Sequence, residues 1–273
     1  MDFIKFKNKK IAYQTSGSRQ GVPIILVHGF CEDSRVWNEF KPDLEEEHPV
    51  VCIDLPGFGA SEVVDDISIA DMAEAVHIVI KTLNLEQFIY IGHSMGGYVG
   101  AAFAKKYGEQ LLGLVMFHSH PFADSEEKKV ARQRVIDFIG RQGHVLYAKQ
   151  LFPNLFAAGY ARSNAFLMEK LTFRAISYPA AGIVNALQAM RNRPDNSSAL
   201  TTLRCPVLFI IGEEDSVIDM ENSIAQTHLP NIADIQVLPK VGHMGMFEAR
   251  KKCSIIIRQF VPFCAKMANV VNV

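Results

Sequence analysis

The sequence predicts an α/β fold, a mostly parallel, twisted sheet of about eight strands with helices on both faces and an inserted helical segment. Three observations predict it. Continuous apolar runs at Pro23–Val27, Val50–Ile53, Phe88–Ile91, Leu111–Phe117 and Val207–Ile211 have the composition of strands buried on both faces. Segments of helical periodicity separate these runs, and parallel strands require such crossovers. His28, Ser94, His118, Asp215 and His243 all fall at or just after the end of a run. In parallel sheets, sites form at the carboxyl ends of the strands.

At 273 residues the chain suits one large domain, or a core domain carrying an insertion. Its 49% hydrophobic and 21% charged residues are ordinary for a globular enzyme. A net charge of −1 offers no basic field for nucleic acid or an anionic membrane. No apolar run reaches the roughly 20 residues of a membrane span. The lysines of the N-terminal segment alternate like a solvated strand face, without the apolar core of a signal peptide. Five cysteines (Cys31, Cys52, Cys205, Cys253 and Cys264) are scattered without metal-ligand spacing. That pattern favours reduced thiols and a cytoplasmic protein.

In chain order, residues 2–15 alternate around Lys7-Asn8-Lys9, which predicts an antiparallel hairpin. The run ending at Val27 leads into His28-Gly29-Phe30, then a helix over Val36–Leu44. The run ending at Ile53 leads into the Pro- and Gly-rich loop Asp54–Ser61. Ser68 and Asp71 form a capping box, with Ile67 and Met72 as a hydrophobic staple, so a helix runs from there to Leu83. Residues 121–199 show helical periodicity with no strand-like run. The sheet resumes at Val207 and ends in Gly212-Glu213-Glu214-Asp215. A helix over Met220–Thr227, a short strand over Ile235–Leu238 and a last helix over Phe247–Phe263 complete the chain. The predicted division is a core of 1–120 and 200–273 with a cap of 121–199.

The chemistry centres on Gly92-His93-Ser94-Met95-Gly96, between the Phe88–Ile91 strand and a small-residue helix. A strand turning sharply into a helix exposes its central residue, and the flanking glycines remove the Cβ atoms that would clash. Ser94 therefore sits where a nucleophile elbow holds its serine. The Met95 N–H opens the helix and faces charge developing beside Ser94. A serine hydroxyl needs a base, and the base needs a carboxylate to fix its tautomer. Ser94, Asp215 and His243 supply nucleophile, acid and base in that order, each after a strand. Glu213, Glu214 and Asp219 are rivals for the acid, and the Gly212-x-x-Asp215 spacing favours Asp215. His118 and His120 stand two apart at a strand end as candidate pocket residues or metal ligands. No Cys, Asp or Glu lies beside them at ligand spacing, so no metal is assigned.

These motifs together resemble the α/β-hydrolase superfamily, in its branch of ester-hydrolase-like proteins. The matching pieces are His28-Gly29-Phe30, Asp54-Leu55-Pro56-Gly57-x-Gly59-x-Ser61, Gly92-His93-Ser94-Met95-Gly96-Gly97, Gly212-x-x-Asp215 and Gly242-His243. The resemblance implies an oxyanion hole formed by the backbone N–H groups of Phe30 and Met95, with His28 bracing the Phe30 loop. It implies no metal and no cofactor, and it identifies 121–199 as the family's helical cap. A serine at the elbow excludes the dehalogenases and epoxide hydrolases of this fold, which need a carboxylate there.

The abundance of Phe and Met in 121–199 predicts an apolar pocket roof that includes Phe166, Met168 and Phe173. The triad and oxyanion donors come from the core, so the chemistry is expected to be complete without the cap. The expected function is a serine hydrolase acting on a small or medium carboxylic ester, as a monomer or homodimer. Two alternatives stand beside it. One is a carbon–carbon bond hydrolase or menaquinone-pathway-like lyase on the same triad. The other is a small-molecule receptor that retains the fold for sensing.

Overall fold

The computed structural model describes residues 1–271. Eight strands form one sheet: β1 (Asp2–Phe6), β2 (Lys9–Gly17), β3 (Ile24–Val27), β4 (Pro49–Ile53), β5 (Phe88–His93), β6 (Leu111–Phe117), β7 (Val207–Gly212) and β8 (Ala233–Leu238). Their spatial order is β1-β2-β4-β3-β5-β6-β7-β8. β1 and β2 pair antiparallel, as do β2 and β4, and every later pair is parallel. The predicted hairpin is present, and Lys7 and Asn8 both take positive φ at its two-residue turn. Every residue of β3, β5 and β7 is buried, which requires cover on both faces and explains their unbroken apolar runs.

The helices are α1 (Pro42–Glu45), α2 (Ile69–Thr82), α3 (Met95–Tyr107), α4 (Glu126–Gln142), α5 (His144–Leu155), α6 (Ala158–Ser163), α7 (Ala165–Ile176), α8 (Ala180–Arg191), α9 (Ser197–Thr202), α10 (Met220–Ala225), α11 (Gly245–Glu248) and α12 (Arg250–Val271). The capping box of α2 forms with both reciprocal bonds, and Ile67 and Met72 are buried beside it. The helix predicted over 36–44 is instead a 3-10 turn at Ser34–Trp37 and the one-turn α1. Pro42 lacks the N–H that a continuous helix would use, and it occupies the first turn of α1, where that loss costs nothing. The last helix begins earlier and in two pieces, α11 and α12.

Residues 126–191 fold into five helices, α4 to α8, with no strand. They are tied to the loops at the carboxyl ends of the strands. Tyr178 Oη donates to Asp33 Oδ2 at 2.7 Å, and Asn185 Nδ2 to Val64 O at 3.1 Å. Lys128 Nζ donates to Val217 O at 2.7 Å, and Tyr160 Oη to Phe247 O at 3.2 Å. The ring of Tyr147 packs 6.3 Å from that of Phe30. Among the described residues no helix is long and apolar enough to cross a membrane.

Candidate active site

The turn between β5 and α3 places Ser94 at φ 49°, ψ −113°, a left-handed backbone that non-glycine residues adopt at a cost of about 1–3 kcal/mol. The surrounding chain enforces it. Ser94 N–H donates to Phe117 O at 2.9 Å, and Ser94 O accepts from Ser119 Oγ at 2.8 Å. A Cβ on Gly92 would lie 2.3 Å from Gly96 O, so the tight turn tolerates only glycine there. The Met95 N–H opens α3, and neither it nor the Phe30 N–H has a hydrogen-bond acceptor among the described residues. Both donors are thus uncommitted. His28 holds the Phe30 loop by accepting from Leu55 N–H at 2.9 Å through Nε2 and bonding Gly29 O at 2.7 Å through Nδ1.

Asp215 and His243 follow β7 and β8 and meet across the sheet end. His243 Nδ1 lies 2.7 Å from Asp215 Oδ2, both side chains being almost fully buried. The second carboxylate oxygen accepts from Val217 N–H at 2.8 Å and Ile218 N–H at 3.0 Å. Burial opposes ionisation of Asp215. The charges and hydrogen bonds of His243 and His118 outweigh it and hold the carboxyl well below the usual range. With Nδ1–H committed to the carboxylate, His243 keeps Nε2 as its free acceptor. Ser94 Oγ makes no hydrogen bond to His243 here; such bonds commonly tighten only with substrate in place. Glu213 accepts instead from Lys240 N–H, and Glu214 is exposed, so neither reaches His243.

The two candidate pocket histidines do other things. His118 is buried beneath Asp215, its Nδ1 3.4 Å from Oδ2. Its Nδ1 also meets Gly212 N–H at 3.1 Å, and its Nε2 meets Gly245 N–H at 3.2 Å. It supports Asp215 and does not face a pocket, because a buried ring this polar must spend both nitrogens on protein partners. Burial pushes it down to about 4. His120 accepts from Phe122 N–H at 3.2 Å and packs its ring on Tyr98 and Phe122. Burial, reinforced by Arg193, pushes it down to about 3, so it is a neutral packing residue. His118, Asp215 and His243 each place one ligand-type atom within 4.8 Å of the others, and His243 Nδ1 and Asp215 Oδ2 are already bonded to each other.

The predicted roof also needs correction. Phe166 and Phe173 are 80% and 76% exposed, so they point into solvent and do not form an apolar roof. Both fall on the outer side of α7, whose buried positions are Met168, Leu171 and Ala175. The stripe that packs inward is thus narrower than the composition suggests. A cleft of about 470 Å³, lined by Lys105, Leu111, Leu203 and Cys205 among others, opens at the amino ends of the strands. None of the candidate site residues lines it.

Sequence reasoning missed a buried pair behind the elbow. His93 Nδ1 lies 3.0 Å from Glu32 Oε2, and its Nε2 lies 2.9 Å from His243 O. Both partners are acceptors, so the ring donates at both nitrogens and is an imidazolium. Burial works against that charge, but the Glu32 carboxylate holds His93 above its ordinary value. Burial likewise opposes the Glu32 charge, and His93 overrides it to hold the carboxyl low. Glu32 also accepts from Gly29 N–H at 2.8 Å, joining the Phe30 loop, the elbow and the His243 loop. Partners 61 and 150 residues apart carry no signal in local spacing.

Residues 22–250 match the family model described as alpha/beta hydrolase fold. The chain is an α/β hydrolase. A thermophilic esterase from Thermogutta terrifontis, in a malate-bound structure, superposes on this hydrolase with a TM-score of 0.88 and 31% identity, each chain covered over 94%. The enol-lactonase from Burkholderia xenovorans LB400 superposes with a TM-score of 0.89 over 96% of this chain and all of its own. Its 18% identity makes that a likeness of fold. In sequence, the hydrolase is 27% identical to the 2-succinyl-6-hydroxy-2,4-cyclohexadiene-1-carboxylate synthase of Enterobacter sp. strain 638. That match runs over 84% of this chain and 88% of the synthase. Its relatives thus include esterases and enzymes named for other reactions.

Proposed function

We propose that this hydrolase cleaves a small or medium carboxylic ester through an acyl-enzyme, with Ser94 as nucleophile, His243 as general base and Asp215 as its orienting carboxylate. The observation that carries the reading is the 2.7 Å bond from His243 Nδ1 to Asp215, beside a serine locked at positive φ. In this reading Ser94 Oγ attacks the ester carbonyl and passes its proton to His243 Nε2. The new oxyanion is received by the Phe30 and Met95 N–H groups. The tetrahedral intermediate collapses, the imidazolium protonates the departing alkoxide, and an acyl group remains on Ser94. Water, deprotonated by the same imidazole, then releases the acid. Residues 121–199 act as a cap that governs which esters enter. The similarity to a Thermogutta esterase at 31% identity supports this substrate class.

A second reading keeps the same groups and uses His243 for proton transfer in a carbon–carbon cleavage or elimination. It is favoured by the 27% identity to an Enterobacter enzyme named as a synthase. The deciding experiment incubates the protein with p-nitrophenyl acetate and butyrate and, separately, with a fluorophosphonate, and maps the labelled residue by mass spectrometry. Steady turnover with label on Ser94 is expected. Label elsewhere, or one slow turnover that then stops, would sink the esterase reading.

A further inference from the structure

The loop that carries His243 is held by groups outside itself. Gly242 N–H donates to both carboxylate oxygens of Glu248 at 3.1 Å, and Met244 N–H donates to Oε1 at 3.0 Å. Gly242 and Met244 are the residues on either side of His243. Glu248 Oε2 also accepts from Ala157 N–H at 2.9 Å, in the link between α5 and α6. At the last residue of α5, Leu155 O accepts His243 N–H at 2.7 Å. The helical segment therefore supplies one acceptor to His243 directly and one donor to the carboxylate that holds its neighbours.

Close packing reinforces these bonds. A Cβ on Gly242 would stand 2.4 Å from Ala157 N and 2.7 Å from Phe156 C, so the link passes directly over the glycine. Phe156, buried in that link, stacks 5.5 Å from Tyr160 and lies 6.1 Å from Phe247, the residue before Glu248. Three backbone donors converge on one carboxylate, and a carboxylate alone offers acceptors on both oxygens. A glutamine would turn one oxygen into an NH₂ facing N–H groups. Burial pushes the Glu248 carboxyl up, and the N–H donors oppose that shift.

We propose that Glu248 is a positioning residue for His243 and that, through Ala157, it ties the setting of the helical segment to that of the imidazole. The proposal rests on the reading of His243 as general base. It reverses the sequence-based expectation that the chemistry is complete without residues 121–199.

The test compares Glu248→Gln, Ala157→Pro and the double variant, with His243→Ala as control. Ala157 has φ −54° and ψ 136°, and Phe156 has φ −104° and ψ 154°. Proline suits the φ of Ala157 and the extended Phe156 before it, so it removes the N–H at a position whose backbone angles it can adopt. Its ring carbon also replaces the hydrogen that pointed at Glu248. Steady-state kinetics on p-nitrophenyl butyrate, the second-order rate of fluorophosphonate labelling, and Tm are measured for each. Misplacing the imidazole by about 1 Å is expected to lower kcat and the labelling rate by up to about 10²-fold. KM should stay within about twofold, because the ester's binding surface is untouched. A merely structural role would lower Tm and leave kcat of the folded fraction alone.

The double variant is expected to lose no more than the worse single one, since both break one connection. Folded Glu248→Gln with kcat and labelling within about twofold of wild type overturns the proposal, as do losses that multiply in the double variant. If Glu248→Gln fails to fold, Ala157→Pro decides by the same criteria. His243→Ala separates the two levels. Turnover that survives in it sinks the general-base reading. An active Glu248→Gln beside an inactive His243→Ala sinks only the positioning role.

Discussion

The serine elbow and the histidine loop meet at one site yet are built in opposite ways. The elbow is mainly local: Gly92 and Gly96 make the turn, Gly97 N–H and Tyr98 N–H close onto Ser94 O at 2.9 and 3.2 Å, and Phe117 and Ser119 brace it from the end of the next strand. The histidine loop depends on distant chain. Its partners are Leu155, Asp215, Glu248 and a His93 that lies 150 residues away. A nucleophile can be fixed by one strained turn because only its Oγ must be presented. A base must be aimed at a second residue, and that takes groups from several elements.

The largest effect expected is on the elbow. Ser94→Ala should lose on the order of 10⁶ in turnover while keeping its fold, as measured by p-nitrophenyl ester hydrolysis and circular dichroism. The backbone strain gives a further handle. Ser94→Gly should be as inactive but more stable than Ser94→Ala by about 1 kcal/mol, since glycine adopts positive φ without a Cβ penalty. Equal Tm values for the two variants would show that the turn stores no strain.

On the other side of the comparison, Asp215→Asn should lower kcat by roughly 10⁴-fold with the fold intact. The amide cannot stabilise the imidazolium and favours the wrong tautomer. Glu213→Gln and Glu214→Gln, which do not reach His243, should stay close to wild type. A glutamate variant worse than Asp215→Asn would overturn the assignment.

A smaller effect concerns His118, which supports Asp215 from below. Its folded value of about 4 lies under the ordinary histidine value, so the ring is neutral when folded and charged when unfolded between the two. Its contribution is complete above about pH 6.5 and is lost as pH falls toward 4. The loss amounts to about 3 kcal/mol from this residue. Urea denaturation of wild type and His118→Gln across that range measures it. If the wild-type decline is no steeper than the variant's, the buried ring is not the cause.

The smallest effects belong to the exposed aromatics of α7. Phe166→Ala and Phe173→Ala should change stability by no more than about 0.5 kcal/mol. The ratio of kcat/KM for acetate and butyrate esters should stay within about twofold. A larger shift in that ratio would mean that these rings fold inward over the substrate.

Much of this molecule is legible in its sequence. The strand runs, the capping box at Ser68, the hairpin turn at Lys7-Asn8 and the G-x-S-x-G turn depend on neighbours a few residues apart. Local sterics and periodicity write such features directly into the sequence. The placement of Asp215 and His243 after successive strands was legible for a related reason, since a parallel sheet brings its strand ends to one edge. The tertiary structure decided the rest. It turned His118 from a pocket residue into a support for Asp215, and paired Glu32 with His93 across 61 residues. It also put Phe166 and Phe173 into solvent, and set the Phe156–Ala157 link against Gly242. Burial, charge pairing and hydrogen-bond direction depend on which distant segments pack together. No spacing along the chain records that.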